Sequence, residues 1–301
     1  MSLYNLVFNG EFDPHPHHYS PTPKNYEKKL MKFFKKLLDF YIHSSLHVAL
    51  ACASFLVLTF LEYEIKNASE YIGFAFFGTI VGYNFIKYNP ISNLYHRQQT
   101  RFLKTILILT VFASVITIYY LIKLSSIELV LVLLPFILLT VFYAIPLQKG
   151  SKNLRRIAGF KIVFIAFVWT GITVIIPLVY YDNLLFYDLI MESIQRFIFV
   201  LVLMLPFEIR DLPYDAKELK TMPQVVGIQN TKRIGTALLF IFTGLSFWQN
   251  ISILEMFPMI FTVSGVLILL WKATPKQSKY YSSLWVESIP VFWLVLTCVI
   301  K

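Results

Sequence analysis

A chain of 301 residues that is 57% hydrophobic and only 15% charged falls well short of the roughly 25% charged share of a soluble domain. That balance excludes an ordinary water-soluble globular protein and predicts a polytopic membrane protein of all-α class. The formal net charge of +10 needs no nucleic acid to explain it, because anionic lipid headgroups or an anionic ligand are sufficient partners.

Residues 1–25 read as a flexible polar tail. His15, His17 and His18 fall within it, but adjacent histidines without a distant ligand make a poor metal site. No secretory leader is expected, since some forty residues at the start are polar and no cleavage site follows the first apolar run. Residues 26–39 place Lys28, Lys29, Lys32, Lys35 and Lys36 between Leu30, Phe33, Phe34 and Leu37 at helical spacing, which predicts an interfacial amphipathic helix. The alternative is a solvated basic leader. From residue 26 to residue 301 the chain is expected to form one transmembrane domain.

Nine segments have the composition of membrane spans, for which about 17–25 residues are needed. They are 40–61, 69–86, 102–121, 127–145, 159–179, 193–207, 234–249, 253–271 and 284–300. The sixth and seventh are short for the purpose. With this layout, 23 of the 27 lysines and arginines fall on one side. By the positive-inside rule the N-terminus is cytoplasmic and the C-terminus external. Cys52 and Cys298 both lie in apolar runs and read as small packing residues.

This orientation gathers polar residues at one depth near the inner leaflet: Asn84 and Lys87 at the end of the second span, Lys161 at the start of the fifth, Glu208, Arg210, Asp211 and Asp215 at the end of the sixth, and Glu287 at the start of the ninth. Ionisable groups at membrane depth are functional candidates. A continuous helix would align Glu208, Asp211 and Asp215 on one face, as oxygen ligands for a hard cation. Pro213 argues instead for a helix end or bend between the two aspartates. Other readings remain open: Asp211 and Asp215 as a cap or as ion pairs with Arg210 and Lys217, Lys161 snorkelling to the interface, Glu287 as partner of a nearby lysine, and the whole set as bundle-orienting ion pairs.

Asp211, Leu212, Pro213, Tyr214 and Asp215, followed by Lys220, Thr221, Met222, Pro223 and Gly227, resemble the second aspartate motif of the UbiA-type intramembrane prenyltransferases. Nine spans and the cytoplasmic loops 2–3 and 6–7 suit that family's layout. Tyr143, Ala144, Ile145 and Pro146, with the basic loop through Arg155 and Arg156, resemble its connection between spans four and five. The resemblance implies a nine-helix UbiA-like fold and transfer of a prenyl group from an isoprenyl diphosphate to a small aromatic or lipidic acceptor. It also implies Mg²⁺ held by Asp211 and Asp215, with Glu208 and Glu287 as further carboxylates, and a diphosphate cradle of Asn84, Lys87, Tyr143, Arg155, Arg156, Lys161 and Arg210.

One departure stands out. The family's first motif, Asn-Asp-x-x-Asp, corresponds here to Asn84, Phe85, Ile86, Lys87 and Tyr88. The asparagine is present, both aspartate positions carry aromatics, and Lys87 puts a positive charge where a cation should bind. That departure implies a second possibility, a non-catalytic relative that binds a polyprenyl or quinone lipid. A secondary transporter fits less well, because duplicated halves with matching broken helices are not visible.

Overall fold

The computed structural model describes residues 23–88, 101–124, 126–145, 157–181, 186–248 and 253–300. Among them the regular elements are all helical. The chain divides into two compact units, Met1–Asp39 and Phe40–Lys301.

Helix α1 (Pro23–His43) begins in the first unit with a proline, whose missing N–H costs nothing at a helix start. Leu30, Met31, Phe33, Phe34 and Leu37 are each more than half exposed. The amphipathic helix expected over 26–39 is therefore present, with an apolar stripe of the kind that enters a lipid interface.

The second unit follows as α2 (Leu46–Glu62), α3 (Ser69–Tyr88), α4 (Arg101–Leu124), α5 (Ile127–Ala144), α6 (Phe160–Thr170), α7 (Ile176–Tyr180), α8 (Phe186–Asp211), α9 (Met222–Trp248), α10 (Ile253–Lys272) and α11 (Ile289–Ile300). A π-turn, Gly171–Ile175, joins α6 to α7, and another, Tyr281–Val286, precedes α11. Each of the nine segments predicted as spans falls on helix. Five stretches are long and apolar enough to cross a membrane on their own: Phe102–Leu124, Ile127–Ala144, Phe160–Tyr180, Phe186–Asp211 and Tyr281–Ile300. A sixth results if α2 is counted together with the helix before it.

Local chemistry sets the ends of these helices. Ser126 caps α5, its Oγ accepting from the Leu129 amide at 3.3 Å, and Glu128 in the first turn suits the helix dipole. The helix stops at Ile145, in extended conformation, because the residue before a proline avoids the α region. The sixth span proves longer than its predicted 193–207. Pro206 lies inside α8 instead of ending it, and its carbonyl accepts from Gln277 Nε2 at 3.0 Å and Ser282 Oγ at 3.3 Å. The helix over the segment expected as the seventh span also starts earlier than predicted, at Met222, and breaks at Gly227 with φ 80°, a backbone conformation open to glycine at little cost.

The main core joins α2, α6, α8, α9, α10 and α11 around Phe55, Phe199 and Leu205, all fully buried. Phe55 meets Trp169, Phe199 and Trp293 edge-on with ring centroids 5.9, 5.8 and 6.2 Å apart, the arrangement aromatic quadrupoles favour. A second cluster packs Leu56, Phe60, Tyr71, Leu133, Phe136 and Ile176 between α2, α3, α5 and α7. Gly171 lets the Phe136 ring lie against the helix backbone where a Cβ would collide. By contrast, α4 exposes Ile108, Val111, Phe112, Val115 and Ile122 at 60–70%. Apolar side chains facing outward from an apolar helix are suited to lipid, where helices are held by packing and hydrogen bonds and not by water exclusion.

Candidate functional site at the ends of five helices

Glycine starts the arrangement. Gly159, with φ 69°, caps α6, and its amide donates to Leu219 O at 2.9 Å, tying the loop before α6 to the loop after α8. Lys161 follows in the first turn of α6. On the other side α8 ends at Asp211, where Pro213 prevents its continuation. The chain then folds back, so that the Tyr214 and Asp215 amides both donate to Asp211 O, at 2.8 and 2.9 Å. Asp215 is therefore in a turn and not on a helix face, yet the two carboxylates still meet. Lys161 Nζ lies 3.3 Å from Asp211 Oδ2 and 3.0 Å from Asp215 Oδ2. Arg210 holds the second oxygen of Asp211, Nε to Oδ1 at 2.8 Å, and donates through Nη1 to Ser283 Oγ at 3.0 Å. Gln224 donates to the carbonyls of Asp215 and Ala216, fixing the turn.

The polar residues of α3 also point inward. Lys87 Nζ donates to Ser45 Oγ at 3.0 Å, and Ser45 Oγ donates to Asn84 Oδ1 at 2.8 Å. Asn84 Nδ2 donates to Ser44 O at 3.1 Å and Thr110 Oγ1 at 2.8 Å. With every amide atom engaged and 2% exposure, Asn84 acts as a bolt between α2, α3 and α4. Glu287 lies within electrostatic reach of Lys87 and Arg210, as Lys87 does of Glu287 and Arg210. Glu287 thus stands electrostatically between Arg210 of the aspartate group and Lys87 of α3. Beneath them Trp169 Nε1 donates to Tyr83 Oη at 2.7 Å, and Tyr143 stacks on Phe164 at 3.9 Å, so Tyr143 is an aromatic wall residue.

Glu208 has a different task. It is 1% exposed, and its Oε2 accepts from the Met222 amide at 3.1 Å, holding the start of α9 against α8. Arg155 and Arg156 lie outside the described residues, as do the histidines of the tail. The sequence reading missed Ser45, Ser283, Tyr83 and His47. His47, 4% exposed, sits with Nδ1 2.9 Å from Tyr41 Oη and Nε2 3.0 Å from Leu284 O. Their sequence signal was Ser44, Ser45 and His47 clustered near the start of an apolar span.

A second buried polar group lies 15 residues back along α8 from Asp211, about 22 Å at the helical rise. Arg196 donates to Glu192 Oε1 at 2.8 Å, Phe55 O at 2.9 Å and Thr59 Oγ1 at 3.1 Å, with its guanidinium 4.7 Å from the Phe55 ring centroid. It borders a cavity of about 80 Å³ that Gln195, Phe242, Ser246 and Trp293 also line.

Mg²⁺ fits these residues poorly. Both oxygens of Asp211 and one of Asp215 already hold a basic side chain. Asn84 has no spare oxygen lone pair directed into the site without loss of its bond to Ser45, and Lys87 adds repulsion. Among the described residues no group of three or more His, Cys, Asp or Glu is placed to hold a metal ion. What the arrangement offers chemically is a set of cations fixed by carboxylates and hydroxyls. Lys161, Lys87 and Arg210 have eleven N–H donors among them, three on each lysine and five on the arginine, and the bonds above use only a part of them.

No family model matches the chain, and neither the curated proteins nor the solved structures include a significant match.

Proposed function

We propose that this is a UbiA-like intramembrane protein with nine spans and a cytoplasmic N-terminus. Its inner-leaflet cluster binds the headgroup of an isoprenyl diphosphate and transfers the prenyl group to a small aromatic or lipidic acceptor. The observation that carries this reading is the meeting of Lys161 with Asp211 and Asp215, 50 and 54 residues away in sequence, beside Arg210, Lys87 and Glu287. Fixed cations at the inner end of an apolar bundle suit a ligand with an anionic head and a hydrocarbon tail. In the transfer, the allylic C1–O bond breaks and its electron pair stays on the diphosphate oxygen, where N–H donors stabilise the developing charge. The acceptor forms its bond to C1 and gives its proton to the released diphosphate.

The test is binding and turnover in nanodiscs. Radiolabelled farnesyl or geranylgeranyl diphosphate should bind the wild type and release pyrophosphate with an acceptor from a panel of phenols and lipid alcohols. Asp211→Asn and Asp215→Asn should weaken binding, since each loosens the grip on Lys161. Equal binding by wild type and both variants would remove the case for this site.

A second reading, non-catalytic binding of a polyprenyl or quinone lipid, is favoured by one observation. The three cations Lys87, Lys161 and Arg210 face Asp211, Asp215 and Glu287, and Glu208 is also within electrostatic reach of Lys161, so the cluster has no excess of positive groups by itself. Under that reading a quinone binds and no pyrophosphate is released from any diphosphate.

A further inference from the structure

We infer that Lys161 and Lys87 stand where bound metal would be needed, so that the protein takes a diphosphate headgroup with ammonium and guanidinium groups alone. This rests on the diphosphate reading above and adds to it an independence from divalent metal.

The two oxygens facing Lys161 lie 3.3 and 3.0 Å from its nitrogen, ordinary spacing for an ammonium between carboxylates. Mg²⁺ draws its oxygens to 2.0–2.1 Å. For both aspartates to ligate it, they would have to close in by about an ångström each and the lysine would have to leave. Lys161 is rooted in the first turn of α6, and the loops on either side of it are tied by the Gly159–Leu219 bond.

The opposing helix supplies no replacement oxygens. Asn84 is locked by three hydrogen bonds. Tyr88, at one of the positions where the UbiA-type motif has aspartate, donates its hydroxyl to His43 O at 2.8 Å. Phe85, at the other, has no ligand atom. Lys87 instead extends from α3, held by Ser45 Oγ and within electrostatic reach of Glu287 and Arg210. Two positive charges thus occupy the two sides of the cluster, one on α3 and one on α6.

Donor arithmetic shows how such a site takes an anion although its bases do not outnumber its acids. Lys161 uses two of its three N–H groups on the aspartates, and Lys87 uses one of three on Ser45. Arg210 uses two of five, on Asp211 and Ser283. The carboxylates orient the cations, and the donors left over serve the phosphate oxygens. A preorganised set of charged donors in a site poor in water binds an anion more strongly than the same groups would in water.

The experiment uses the full-length protein in nanodiscs and farnesyl thiolodiphosphate, a probe that resists ionisation. Its affinity should be the same in excess EDTA as in Mg²⁺. Lys161→Gln and Lys87→Met should each lower it by about 10- to 150-fold, as expected for loss of hydrogen bonds from a charged donor. Lys161→Arg, which keeps charge and donors, should retain most of the affinity and guards against a folding defect. Binding that appears only with Mg²⁺ or Mn²⁺ would overturn the metal-free site while leaving the diphosphate reading intact. Binding in EDTA that neither lysine substitution alters would overturn the assignment of the lysines. Absence of binding in both buffers would overturn both readings together.

Discussion

Replacing Glu192 with glutamine is the sharpest test of how the α8 bundle is held. The wild-type pair is nearly sealed, with side chains 5% and 4% exposed for Glu192 and Arg196. Glu192→Gln keeps the shape and one acceptor but removes the counter-charge. Arg196 is then a buried cation with only neutral partners, Phe55 O and Thr59 Oγ1. Arginine does not shed its proton in a protein, so the loss cannot be relieved by neutralisation. Breaking a buried pair from one side costs about 3–5 kcal/mol, and at about 2–4 °C per kcal/mol the midpoint should fall by roughly 10 °C. Arg196→Met differs, because the abandoned Glu192 can take up a proton. At pH 7 that uptake costs at most about 4 kcal/mol relative to a free glutamate. The double variant Glu192→Leu with Arg196→Met removes both charges and should recover most of the loss, since apolar replacement of a whole buried pair is often neutral. Cys52, buried in the main core, supplies the assay: its reaction with a thiol-sensitive dye on heating reports unfolding, with the exposed Cys298 replaced by serine. A Glu192→Gln midpoint equal to wild type, or a double variant as unstable as either single one, would refute the reasoning.

Two further outcomes are expected. Gly171→Ala should destabilise by about 1–3 kcal/mol in the same assay, since its Cβ meets the Phe136 ring; Gly244→Ala, where an added Cβ touches nothing within 4 Å, should be neutral or slightly stabilising. A cysteine placed at Tyr214, 85% exposed beside the aspartates, should react with a membrane-impermeant maleimide only after cells are opened. Labelling in intact cells would reverse the proposed orientation.

Much of the architecture was legible because long apolar runs allow few alternatives. The helix end at Asp211 could be read from Pro213, and the amphipathic α1 from lysines spaced among leucine and phenylalanine. The meeting of loop 4–5 with loop 6–7 was anticipated only as a shared depth. Sequence gives height along the membrane normal but not azimuth around the bundle, so Lys161 was assigned to phosphate before its carboxylate partners were visible. Asn84 shows the same limit. Its type suggested a ligand, whereas its bonds to Ser44, Ser45 and Thr110 depend on contacts across as many as forty residues. Arg196 gives no sequence signal of its burial, because a four-residue spacing from Glu192 looks alike on an exposed helix and a buried one. The length of α8 was underestimated because polar residues before Ser193 hid a helix that starts at Phe186.

The two π-turns have a consequence for engineering. Each holds one residue more per turn than an ordinary helix, so beyond Gly171 and beyond Tyr281 every side chain is rotated by about 100° from its regular winding. Deleting a single residue within 171–175 would let the coil close as an ordinary α-helix while Pro177 and Leu178 keep their present neighbours, with Lys161 undisturbed upstream. The same deletion within 281–286 would likewise leave Glu287 and α11 in place. Single-residue deletions therefore offer a means of testing what the wide turns themselves contribute while every functional side chain keeps its place.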